Sequence, residues 1–242
     1  MTKGKNNRLF TWMGILGAAG MLIFLLFFLP GLLIPPLQQR VIPSDQPESG
    51  FTLEPGDILV RPNWNWLPGT FRVEGGRNFG HLAIVTEGAR GGSVQEVLQK
   101  ARVIEALLFD QKTRRFIFGS PEIVRRTSAA TSFGERFRGK RYLLRMPMTS
   151  QEKKSLSAFL NAQLNDDRYT VFTFKQDFSK TPGTREAYLS ADHDRWNCAT
   201  LAWYAFRYAT GMDIDGNGVR MVYPNDIIRG KCFDPPAIRV RF

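Results

Sequence analysis

The sequence predicts an α+β domain with an antiparallel sheet, set behind one N-terminal transmembrane helix. Three observations carry that reading. Short runs of branched and apolar residues, bounded by Gly and Pro, lie mainly ahead of an apolar helix late in the chain; strands gathered in this way point to α+β rather than alternating α/β. That helix, ATLAWYAFRYAT, is apolar nearly all the way round, with Arg207 as its only charge, so it belongs at the centre of a domain. Finally, Leu9 to Leu29 run 21 residues without a charge, enough to cross a hydrocarbon core of ~30 Å as a helix.

Pro30-Gly31 break the apolar run. A cleaved signal peptide is the competing reading. Its apolar region is expected to be ~7–15 residues, followed by small residues at the cleavage site. Here the run is longer, and Leu32, Leu33, Ile34, Pro35 and Pro36 follow it, so an uncleaved anchor is expected. Lys3, Lys5 and Arg8 precede the span and hold that end in the cytoplasm. The expected address is therefore the inner (cytoplasmic) membrane, single-pass, with the C-terminal domain on the extracytoplasmic side, the periplasm in a Gram-negative cell. Residues 1–36 form the cytoplasmic tip and anchor. Residues 37–52, LQQRVIPSDQPESGFT, are polar and read as a linker. Residues 53–242 are left for one globular domain.

Within that domain, Asp57 to Val60 read as a strand after a Pro55-Gly56 turn, His81 to Thr86 as a second and Val103 to Phe109 as a third. Glu122 to Arg126 and Tyr142 to Arg145 are weaker strands. Thr149-Ser150-Gln151-Glu152 fit a capping box, and KKSLSAFLNAQL continues as a helix. The apolar helix follows Cys198 and is stopped by Gly211. The chain has no internal repeat and no low-complexity tract.

The 242 residues carry a formal charge of +11, with 43% hydrophobic and 12% aromatic residues. Such a charge fits an anionic surrounding: nucleic acid, an acidic membrane surface or an acidic polymer. The basic residues, such as Arg125-Arg126, are scattered, with no zinc-finger spacing and no aromatic RNA-binding signature, so nucleic acid is not expected. Removing Lys3, Lys5 and Arg8 from the +11 leaves +8 on residues 9–242, which favours closeness to an anionic leaflet. Two cysteines, Cys198 and Cys232, are too few for a disulfide scaffold. A single bond between them is open outside the cytoplasm.

Cys198 begins the apolar helix. Free backbone N–H groups and the helix dipole there favour a thiolate, and the same N–H groups fit the oxyanion of a tetrahedral intermediate. A cysteine nucleophile needs a base, usually histidine, and the chain has only His81 and His193. His193 lies between Asp192 and Asp194 in a polar loop. His81 opens HLAIV, at the lip of an apolar strand; the plainer reading is a strand-end histidine without a catalytic role. Glu105 sits in VIEALLF. If buried, it needs a partner, and His81 on a neighbouring strand would be one. By strand alternation it could equally face solvent.

PGDILV (Pro55 to Val60), GHLAIV (Gly80 to Val85), VIEA (Val103 to Ala106), NCATLAWYAF (Asn197 to Phe206) and YPNDI (Tyr223 to Ile227) cover, in that order, most of residues 51–228. The set resembles the permuted papain-like cysteine hydrolases, the YiiX-like branch of the NlpC-type superfamily related to lecithin retinol acyltransferase. The resemblance implies a circularly permuted papain-like fold, with the histidine ahead of the cysteine and an antiparallel sheet packed on the buried helix that bears it. It implies Cys198 as nucleophile, His81 as base and Glu105 as the residue that orients the base. Asp57 matches a Gly-Asp pair of structural role. Asn197 matches the Asn-Cys pair of the acyltransferase relatives, a support for the oxyanion. The loop PNWNWLPGTFRVEGG departs from the pattern, and Trp64, Trp66 and Trp196 are candidates for substrate binding.

The implied activity is cofactor-free hydrolysis of an amide bond, in cell-wall peptides. A lipid ester or amide hydrolase or acyltransferase of the same fold is the alternative. A non-catalytic anchored binding module is a third reading. Asp213, Asp215, Asn217 and Gly218 have the spacing of the first half of a calcium loop, but Pro224 stands where the bidentate glutamate belongs. No calcium, zinc or phosphate-loop site is expected.

Overall fold

The computed structural model describes residues 11–22, 50–62, 79–110, 115–117, 119–134, 141–169, 175, 196–216, 222–234 and 238–240. Residues 11–22 are helical and exposed. Among the described residues no helix is long and apolar enough to cross a membrane. The rest of the expected span 9–29, and residues 37–49 of the expected linker, lie outside the described residues.

The fold is mixed α+β. Its centre is a six-stranded sheet, order β10-β9-β2-β3-β5-β8, antiparallel at every pairing. The strands are β2 (Ile58–Pro62), β3 (Phe79–Glu87), β5 (Arg102–Ala106), β8 (Val124–Ser128), β9 (Arg141–Leu144) and β10 (Ile238–Val240). β1 (Phe51–Leu53) pairs with β4 (Ala89–Gly91), so a strand reaches into the end of the segment read as linker. β6 (Phe109–Asp110) pairs with β7 (Arg115–Phe116), so the expected third strand is cut at Ala106 and resumes in a separate ribbon.

Glu54 to Asp57 make the turn into β2. Asp57 N–H donates to Glu54 O at 3.0 Å, and Gly56 has φ +95°, a left-handed conformation for which glycine is suited. A Cβ on Gly56 would also meet Met148 Sδ at 3.0 Å.

The central strands are apolar on both faces because both are covered. Ile58, Val60, Leu82, Ile84 and Ile104 share one cluster with α3 (Ser150–Ala162), α4 (Cys198–Thr210) and α5 (Pro224–Ile227). Leu59, Ala83, Val85 and Val103 share the other with β1, α1 (Val94–Lys100) and α2 (Ala129–Phe133). The predicted capping box holds: Thr149 caps α3 with Glu152 in reciprocal contact. In α4 every residue from Cys198 to Phe206 is buried, and Gly211 ends the helix at φ +74°. The short helices α1, α2 and α5 are too brief to leave a helical period in the sequence.

Candidate active site

Glu105 is the hub of a buried polar group on the α1–α2 face of the sheet. It lies two residues from Val103 on β5, so by strand alternation it shares that face. His81 holds the equivalent place two residues before Ala83 on β3. His81 Nε2 and Glu105 Oε2 are 2.7 Å apart. Ser132 of α2 donates its hydroxyl to the same oxygen at 2.5 Å. Arg125, opposite Glu105 in the β5–β8 register, donates Nε–H to Oε1 at 3.1 Å. The two acid and base residues predicted from sequence are thus brought together, and Glu105 does not face solvent.

These contacts set the protonation of the group. Burial works against the Glu105 carboxylate, but the His81 hydrogen bond, the charges of His81 and Arg125, and the Ser132 hydroxyl outweigh it and hold its pKa below the usual range. Burial, joined by the Arg61 charge, pushes His81 down to about 4 against the opposing pull of Glu105. The ring is therefore neutral near pH 7. Since the carboxylate accepts only, Nε2 carries the proton and Nδ1 is left as the basic nitrogen.

Cys198 reaches the site from the other side. Its cluster is that of α4 and Leu82, on the opposite sheet face from the Glu105 group. The β3–β5 register runs from Ile84 to Glu87, so Leu82 lies beyond it. Burial drives the Cys198 thiol up to about 11, while hydrogen bonds with the Leu82 and Ala199 backbones and the Arg61 charge oppose the rise. The thiol thus lies against the peptide next to His81, without a hydrogen bond between the two side chains. This corrects the expectation of a resting thiolate: at this helix start, desolvation outweighs the N–H groups and the dipole. Cys198 and Cys232 are both free thiols, so the open disulfide reading does not hold.

Asn197 is the N-cap of α4: its side chain accepts the Thr200 N–H at 2.9 Å. Asp57 makes a two-point ion pair with Arg145, at 2.8 Å from Nε and 2.7 Å from Nη2, and accepts the Glu54 N–H at 2.7 Å. Trp196 is 2% exposed and packs edge-on against Phe159 and Tyr204, a core position rather than an open binding surface. Trp64, Trp66 and His193 lie outside the described residues. Of the calcium-like spacing, Asp213 and Asp215 both pair with Lys175, whose ammonium also lies 5.7 Å over the Trp203 ring; Asn217 and Gly218 lie outside the described residues. Among the described residues no group of three His, Cys, Asp or Glu is placed to hold a metal ion.

No family model and no curated protein matches the chain. Among solved structures it is similar to the crystal structure of the metalloprotein yiiX from Escherichia coli O157:H7, at 14% identity over 78% of this chain and 96% of that one, with a TM-score of 0.44.

Sequence reasoning missed Arg61, Arg125 and Ser132. Arg125 stood in a pair read as part of a scattered basic charge, and Ser132 carries no signal at all. Arg61 had one: a cation directly after the apolar ILV of a central strand has to be partnered or to act.

Proposed function

We propose that the chain is a membrane-anchored, extracytoplasmic cysteine hydrolase that cleaves an amide bond in cell-wall peptides. The observation that carries this reading is the buried His81–Glu105 contact, 2.7 Å long, made beside the start of the helix that presents Cys198. The order of motifs shared with the permuted papain-like hydrolases supports it, as does the uncharged N-terminal run for the anchor.

In this mechanism His81 Nδ1 takes the proton from Cys198 Sγ as sulfur bonds to the carbonyl carbon, and the C=O electron pair moves onto oxygen. N–H groups at the start of α4 receive that oxyanion. Collapse expels the amine, which takes the proton from His81. Water, deprotonated by the same nitrogen, then releases the acid and restores the thiol. Glu105 fixes the ring throughout. A resting pair of neutral thiol and neutral imidazole moves its proton when the carbonyl arrives, rather than storing an ion pair.

The test uses the full chain in detergent, incubated separately with cell-wall peptide fragments and with phospholipids, and read by mass spectrometry. The expected result is amide cleavage of the peptides, lost by at least ~10³-fold in Cys198→Ser and strongly reduced in His81→Asn. Parent-like turnover in Cys198→Ser sinks the mechanism; ester products from the phospholipids move the substrate to the lipid class. One observation favours the binding-module reading: the thiol is protonated and makes no hydrogen bond to the base. That reading expects the fragments to bind the parent and Cys198→Ser equally, with no product.

A further inference from the structure

Arg61 is a guanidinium inside the protein, 4% exposed, at the end of a run of fully buried apolar residues on β2. Two constraints fix it. The β2–β3 register sets Arg61 directly opposite His81 and Val60 opposite Leu82. Its Nε–H donates to the Ser132 carbonyl oxygen at 2.6 Å. Ser132 in turn holds the Glu105 oxygen that holds His81. The four residues close a ring from β2 through α2 and β5 to β3, with the strand register as its last link. Val60, next to Arg61, is opposite the residue whose backbone meets the Cys198 thiol. One cation is therefore built in beside the proposed base, and its charge also reaches the proposed nucleophile from the opposite face of the sheet.

We propose, building on the cysteine-hydrolase reading, that Arg61 is a positioning residue whose fixed charge keeps His81 unprotonated and favours ionisation of Cys198. A positive charge disfavours the imidazolium and favours the thiolate alike. It therefore leaves the proton transfer between them near balance and acts on the state in which each group rests: the histidine stays free as a base across the physiological range, and the thiol stays easier to ionise than its burial alone would allow. Among the described residues, the other groups facing this pair are Glu105 and Arg125 at His81, and Glu105 and Tyr169 at Cys198. Glu105 opposes Arg61 at both centres, raising both groups, so the two residues form a push–pull pair. Arg125 adds to Arg61 at the histidine.

The experiment follows the two titrations, not turnover. Full chain in detergent carries histidine labelled for NMR, with His193→Gln identifying the second resonance. Iodoacetamide alkylation of Cys198 is mapped by peptide mass spectrometry over a pH series. In Arg61→Met, with retained circular dichroism, the His81 midpoint is expected to move up towards the ordinary histidine value, and Cys198 to alkylate about tenfold more slowly at pH 8. Arg61→Lys, which keeps the charge, is expected to stay near the parent in both.

Unmoved midpoints in Arg61→Met overturn the proposal. If that variant does not fold, Arg61→Lys decides: a lysine variant as displaced at His81 as a charge deletion would be, relative to the parent, overturns it as well. The readouts separate the two readings. Activity surviving in Cys198→Ser removes the hydrolase and leaves the titrations as they are. Unmoved titrations beside a dead Cys198→Ser remove the role of Arg61 and leave the hydrolase.

Discussion

Asp57, in the turn before β2, and Glu105, on β5, are two carboxylates each 1% exposed, and they are held in opposite ways. Asp57 faces a single arginine, and that arginine also serves Glu54 at 3.5 Å. Burial raises the Asp57 pKa in spite of the Arg145 pair and of the Glu54 N–H it accepts, with the Glu54 charge adding a little to the rise, while the half-buried Arg145 has its own pKa raised by the same contact. Glu105 has three separate donors, His81, Ser132 and Arg125, and ends below the usual range. Burial alone therefore does not decide the charge of an interior acid; each of these two accepts three hydrogen bonds, and what differs is the number of independent side chains that hold it. A carboxylate that staples a turn to β9 tolerates partial neutralisation. One that orients a histidine has to remain an acceptor.

The largest expected effect tests the donors directly. Glu105→Ala leaves the Arg125 cation and the Ser132 and His81 donors facing each other, and is expected to lower unfolding stability by about 3–5 kcal/mol. Asp57→Ala frees Arg145, whose side chain is 26% exposed and can turn to water, for a smaller loss of about 1–3 kcal/mol. Denaturant midpoints of the two variants measure this, and equal losses break the contrast.

Next in size is the pH dependence. In the native chain His81 titrates at about 4 rather than 6.5, so between those values the unfolded chain binds a proton that the native one does not. Stability therefore falls as pH drops from about 6.5 to 4, and the lowered pKa of Glu105 extends the loss further into acid. Asp57, raised, acts with the opposite sign: its native form keeps the proton longer, and its contribution shrinks as pH rises past the unfolded value. Urea midpoints are expected to drop from pH 7 to pH 4.5 in the parent and in Asp57→Asn, and to flatten in His81→Asn. A parent-like slope in His81→Asn would show that the acid response comes from elsewhere.

The smallest effect is a control without a buried charge. Asn197→Ala removes the cap of α4 and is expected to cost about 1 kcal/mol. The stability slope with pH should keep its parent shape. A changed slope would tie the cap to the titrating pair and blur the distinction between packing and charge.

Much of this was legible in the chain. The cap of α3 and the Gly211 stop of α4 depend on residues within one turn of each other, so the local pattern sufficed; the Asn197 cap of α4 emerged only from the structure. The partnership of Glu105 with His81 was readable as one of two fates, exposure by strand alternation being the other, and the family resemblance favoured it. Trp196 misled: an aromatic beside a candidate nucleophile reads as a ligand contact, yet its ring fills the space between α3 and α4.

The sequence by itself determined the α+β class and the apolar central helix with cysteine at its start. Each follows from composition and spacing along the chain. Only the tertiary structure decided that Arg61 stands opposite His81, that Ser132 and Arg125 hold Glu105, and that the Cys198 thiol is raised rather than lowered. Those outcomes depend on strand register and on desolvation, and both exist only once distant segments have packed.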